Sequence, residues 1–230
     1  MSQQSVLVVA AHPDDEVLGC GGTIARLTDE GHEVHVLILA EGITSRSIAR
    51  DRQSKTEDLS ALGCCAQKAN AVLGSASLKL CDFPDNRMDS VDMLNVVKII
   101  EGEILRHKPQ ILLTHHRGDV NVDHGVVHNA VIAACRPQPH HPVRQLLFFE
   151  VASSTEWRPP ASGTMFAPNY FYNIETSLAR KLSALAEYSE EMRTFPHPRS
   201  ITAIEYMAKW RGASVGVAAA EAFMLGRAIL

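Results

Sequence analysis

Apolar residues along this chain fall into two recurring patterns. Short runs rich in Val, Leu and Ile at 6–11, 34–40, 78–83, 110–115 and 146–151 predict buried strands. Between them, apolar positions recur every three or four residues and predict helices over 22–31, about 47–73, 91–107 and 123–136. Gly31, Gly74, Pro109 and Pro137 supply the stop signals. Strands alternating with helices predict an α/β fold with a mainly parallel sheet covered on both faces. After residue 151 the pattern changes. Residues 153–169 read as a loop, 175–193 as an amphipathic helix, and 200–230 as one or two helices interrupted near Gly212 and Gly216, with Pro196-His197-Pro198-Arg199 as a rigid connector. The expectation is one domain over 1–230, an α/β core to 151 followed by a loop and helical tail.

Composition narrows the class without naming a function. Hydrophobic residues make up 46% and charged residues 21%, ordinary for a globular protein able to bury a core. A formal charge of −4 argues against a general nucleic-acid binder. No apolar run has the length of a membrane span, and Met1-Ser2-Gln3-Gln4 shows no signal-peptide pattern. Five cysteines without a CxxC pair favour reduced thiols, so the expected location is the cytoplasm.

The chemistry sits where the first strand ends. Val6–Ala11 runs directly into His12-Pro13-Asp14-Asp15-Glu16, four ionisable side chains in five positions. Clustered carboxylates repel unless a cation or a shared proton offsets them, and a metal ion is the simplest such cation. A second polar cluster, His115 to His124, follows the fourth strand. In a parallel sheet both lie on the carboxyl rim, where ligands bind. Two imidazoles and a carboxylate with open positions suit catalysis, so His12, Asp15 and His124 are the expected metal ligands. Zinc commonly uses such a set, and Fe2+ accepts the same donors. Asp14 is then the natural general base, and Asp123 a carboxylate that orients a ligating histidine. Gly19-Cys20-Gly21-Gly22 lacks the GxGxxG spacing of a dinucleotide loop and reads as a tight turn with close helix packing.

The His12-Pro13-Asp14-Asp15-Glu16 motif, Gly19-Cys20-Gly21-Gly22-Thr23 and the later Asp123-His124 together resemble the LmbE-like (PIG-L) family of zinc-dependent N-deacetylases. The resemblance implies a Rossmann-like fold and hydrolysis of an N-acetyl group on glucosamine or a related amino sugar. Carried across by position, it implies His12, Asp15 and His124 as zinc ligands and Asp14 as base. One departure stands out: many members have a histidine two residues before the Asp-His pair, and this chain has Asn121. An amide can donate to an oxyanion but cannot act as an acid. The proton for the leaving amine is therefore expected from protonated Asp14, His197 or His116. In some relatives a C-terminal histidine closes the site, in certain cases from a neighbouring subunit, which marks His197 and suggests a homo-oligomer.

Arg46, Asp85, Asn86 and Arg87 fall in loops on the same rim. Asn and Asp suit sugar hydroxyls, and the arginines suit a phosphate or carboxylate on the substrate. His128, one turn after His124, is expected as a hydrogen-bonded neighbour. Trp157 and Trp210 are expected to pack. Two rival readings are an amidase for another acyl group or thiol-sugar conjugate, and a metal-containing sugar-binding protein without turnover.

Overall fold

The computed structural model describes residues 3–159, 161, 163 and 165–230. Seven strands form one sheet in the order β3-β2-β1-β4-β5-β7-β6. They are β1 (Ser5–Ala10), β2 (Glu33–Ala40), β3 (Ser77–Phe83), β4 (Ile111–His115), β5 (Gln145–Phe149), β6 (Tyr170–Asn173) and β7 (Ala220–Ala228). The first five are parallel, as continuous apolar runs require when both faces are covered. Side chains alternate across β1: Val6, Val8 and Ala10 join the core under α1 (Asp15–Asp29), α2 (Thr56–Leu73) and α5 (Leu178–Glu187), whereas Leu7 and Val9 face α3 (Met93–His107) and α4 (Val122–Ala134). The sixth helix is α6 (Ile201–Ala213). Among the described residues, no helix is long and apolar enough to cross a membrane.

The tail departs from expectation. Only its first part is helical; residues 220–228 form β7, antiparallel between β5 and β6. Ala219, Ala220 and Ala222 favour a helix locally, but the open edge of β5 offers unpaired backbone groups and an apolar face, and burial there wins. The helix expected over 175–193 is shorter, Leu178–Glu187. Gly212 closes α6 because the returning chain passes against it: a Cβ there would lie 2.6 Å from Ala219 Cα.

The first helix begins earlier than expected, at Asp15, but is broken at Cys20 (φ −148°, ψ 23°). The helix foreseen from residue 22 is its second half, and the buried Glu221 of β7 caps that half, accepting from Gly22 N–H (2.9 Å) and Thr23 N–H (2.6 Å). Buried Lys181 of α5 pairs with the same carboxylate. Gly19 lets this helix lie on the sheet, since a Cβ would meet the Phe149 ring at 2.3 Å. Two expectations fail at the surface: Trp157 and Trp210 are 54% and 70% exposed rather than packed.

Candidate metal centre

The strand order reverses between β1 and β4, and the charged loops meet at the carboxyl ends of these two strands. From the end of β1 come His12, Asp14 and Asp15; from the segment after β4 come Asp119 and His124. Asp15 Oδ2 lies 3.2 Å from His12 Nδ1 and 3.2 Å from His124 Nε2, so the three expected ligands converge on one point. All are buried. Asp15 Oδ1 and both ring nitrogens of His124 have no hydrogen-bond partner, although His124 Nδ1 is 3.0 Å from Asp119 Oδ2. Buried polar atoms are normally satisfied. A cation bound between them would satisfy this donor set, and the residues fit one.

Carboxylates fix the two rings from behind. His12 Nε2 donates to Asp123 Oδ2 at 3.0 Å and stands 3.3 Å from Asp85 Oδ1. Asp123 is itself held by the backbone N–H groups of Asn86 (2.7 Å) and Met88 (2.9 Å). Asp119 faces His124 and is anchored by Ser154 and Thr155 hydroxyls. His115 stacks on His124 at 3.9 Å between centroids, and its Nε2 accepts the Ala11 N–H, which leaves the proton on Nδ1. The His128 ring donates to the His115 carbonyl (2.9 Å), the neighbour role expected of it.

Electrostatics follow from this crowding. Burial opposes charge on His124, but Asp15 and Asp119 outweigh it and hold its pKa at about 9. His12 behaves likewise: burial lowers it, yet Asp123, Asp15 and Asp85 keep it well above an ordinary histidine. Burial would raise Asp15, but His124 and His12 hold it well below the usual range. Asp14 goes the other way: burial pushes its carboxyl well up, against the pull of Arg199.

The remaining expected residues take varied places. Asn121 caps α4, its Oδ1 accepting the Asp123 N–H (2.9 Å), while its Nδ2 donates to Asn86 Oδ1 (3.0 Å). Asp85 is buried and accepts from the Ser45 N–H at 2.9 Å, so it is enclosed at the site rather than presented to solvent. Arg87 holds the Ile48 carbonyl at 2.8 Å and Arg46 grips Glu191 at 2.6 Å; both guanidiniums bind protein groups. His197 is half-buried, edge-on to Trp157, and its Nδ1 accepts the Arg199 N–H. It is Arg199, not singled out from the sequence, that reaches Asp14, Nη1 to Oδ2 at 2.9 Å. Asp119 and His115 carry no individual signal in the sequence, although both lie within the polar cluster after the fourth strand.

Known proteins share the family and the fold of this chain. Residues 7–135 match the family described as PIG-L, GlcNAc-PI de-N-acetylase. The uncharacterized deacetylase YaiS of Escherichia coli (strain K12) is 27% identical over 191 residues, 81% of this chain and 91% of that protein. A Bacillus cereus protein named "Probable N-acetyl-alpha-D-glucosaminyl L-malate deacetylase 2" is 28% identical over 193 residues, 82% of this chain and 84% of its own. The fold is shared more widely: GalB, the 4-carboxy-2-hydroxymuconate hydratase of Pseudomonas putida KT2440, superposes with a TM-score of 0.77 at 20% identity over 99% of this chain and 98% of its own.

Proposed function

The chain belongs to the PIG-L de-N-acetylase family, and on that premise we propose that it hydrolyses the N-acetyl group of an N-acetylated amino sugar, with zinc held by His12, Asp15 and His124. The observation that carries this reading is the convergence of those three side chains, with unpartnered Asp15 and His124 atoms, beside the buried carboxylate of Asp14. Zinc bound there supplies Lewis acidity and makes a water acidic enough to act as nucleophile near neutral pH. Asp14 Oδ takes the proton of the attacking water and returns it to the departing amine, a role served by a carboxyl whose pKa is raised by burial. Asp123 and Asp119 fix the ring orientations of His12 and His124. Asn121 gives one Nδ2 hydrogen to Asn86 and keeps the second for the oxygen that gains charge. Asn86, exposed on the rim, meets the sugar hydroxyls together with Arg46, which is half-exposed beside a cavity of about 230 Å3 floored by Ile43, Leu62 and Tyr188. Asp85 and Arg87 shape this rim from beneath. His197 supports the backbone of Arg199.

The test is amine release from free, phosphorylated, nucleotide-linked and malate-linked N-acetyl sugars by chelated protein, with and without added zinc. Zinc-dependent release from one member is expected. Zinc binding with no release from any of them refutes the reading.

A further inference from the structure

The segment joining α5 to α6 reaches the site at two points that hydrolysis as described leaves without a role. Tyr188 Oη donates to Glu16 Oε1 at 2.6 Å, and Asn70 Nδ2 donates to the same oxygen at 3.0 Å. The other Glu16 oxygen receives the backbone N–H of Asp14 at 3.1 Å. Arg199 approaches Asp14 from the opposite end of that residue, at the carboxylate. Its own backbone is secured twice, N–H to His197 Nδ1 and carbonyl from the Arg193 N–H. Between these holds Asp14 adopts φ 111°, ψ −29°, a conformation that a residue with a Cβ keeps only where its surroundings over-determine it.

We propose that Glu16 and Arg199 are positioning residues for Asp14, Glu16 fixing its backbone and Arg199 selecting one orientation of its carboxylate. A short carboxylate on an unusual backbone has several staggered orientations open to it, and only a directional partner singles one out. Arg199 is suited to this, since its planar guanidinium is pre-organised and permanently charged. The segment from Tyr188 to Arg199 contributes to both holds, through Tyr188 on Glu16 beside Asn70 of α2 and through Arg199 on the Asp14 carboxylate. The role of Asp14 as base rests on the functional reading above; its placement by Glu16 and Arg199 does not.

The experiment uses the zinc-loaded full chain with Arg199→Ala, Arg199→Lys and Glu16→Gln. For Arg199→Ala the expected result is unchanged zinc content and KM with kcat down ~100-fold, the scale of a catalytic group misplaced by about 1 Å. Added guanidinium at non-denaturing concentration should restore part of that loss. A crystal structure of the same variant should show the Asp14 carboxylate turned away from its wild-type place. An unmoved carboxylate overturns the proposal, as does an unchanged kcat, or a loss that accompanies zinc loss and is indifferent to guanidinium. Should Arg199→Ala fail to fold, Arg199→Lys and Glu16→Gln carry the same crystallographic readout. A wild-type chain that releases no amine defeats the functional reading alone, and the position of Asp14 in the variants still decides this one.

Discussion

Asp14 and Asp15 are neighbours with opposite electrostatics. Despite its burial, Asp15 lies against His124, His12 and His115, which hold its carboxyl well below the usual range, whereas burial, against the pull of Arg199, leaves Asp14 well above it. That split suits the roles proposed for them, an ionised ligand at Asp15 and a proton acceptor at Asp14. Two substitutions separate the roles. Asp14→Asn should retain zinc and lower kcat by ~10²–10⁴-fold, the range for losing a general base. His124→Ala should lose the metal itself, and metal analysis of purified protein distinguishes the two outcomes. At this scale the contiguous His12-Pro13-Asp14-Asp15 is legible because the proposed ligands and the proposed base are adjacent in the chain. Arg46 was placed on the rim, but its partner Glu191 lies 145 residues away and has no local signal.

Among the elements, the broken first helix shows how distant parts complete one another. Cys20 leaves the helical conformation, so the N–H groups of Gly22 and Thr23 begin a second helix inside the core. Glu221 of β7 satisfies both, and Lys181 of α5 balances its charge. Glu221→Gln should therefore destabilise the fold by ~3–5 kcal/mol, since it leaves a buried ammonium unpaired. Denaturant midpoints at constant m-value would measure it. Gly212→Ala should also destabilise, by ~1–3 kcal/mol, because the obstructing atoms are backbone and cannot rotate aside. Both substitutions lie away from the metal ligands, so zinc affinity of the folded fraction should hold.

Over the whole molecule, the rim gathers Asp14, Asp15, Asp85, Asp119 and Asp123 around two histidines and Arg199. Without a metal the histidines carry part of the balancing charge. His124 has a folded-state pKa of about 9, raised from 6.5, and His12 is raised as well. A raised pKa contributes stability that is complete below the unfolded value and is lost as pH climbs through the folded one. Chelated protein should accordingly lose thermal stability between about pH 6.5 and 9, with the melting temperature falling across that window. Zinc competes with the same protons, so its stabilising effect should grow over the same range. A flat melting profile in chelator would contradict this charge balance.

Much of this protein could be read from its residues alone. Five parallel strands, the helices between them and the convergence of His12, Asp15 and His124 follow from apolar runs ending in charged loops, because a parallel sheet delivers every such loop to one rim. What needed the tertiary structure lies in the tail and in partners far along the chain. The alanine-rich stretch before Leu225 has a helix's composition and became a strand because β5 had an open edge. Arg199 sat in a segment that read as a connector, and only folding brings it to a carboxylate 185 residues earlier. Local pattern records which face of an element is buried; it holds no record of which distant charge will lie opposite.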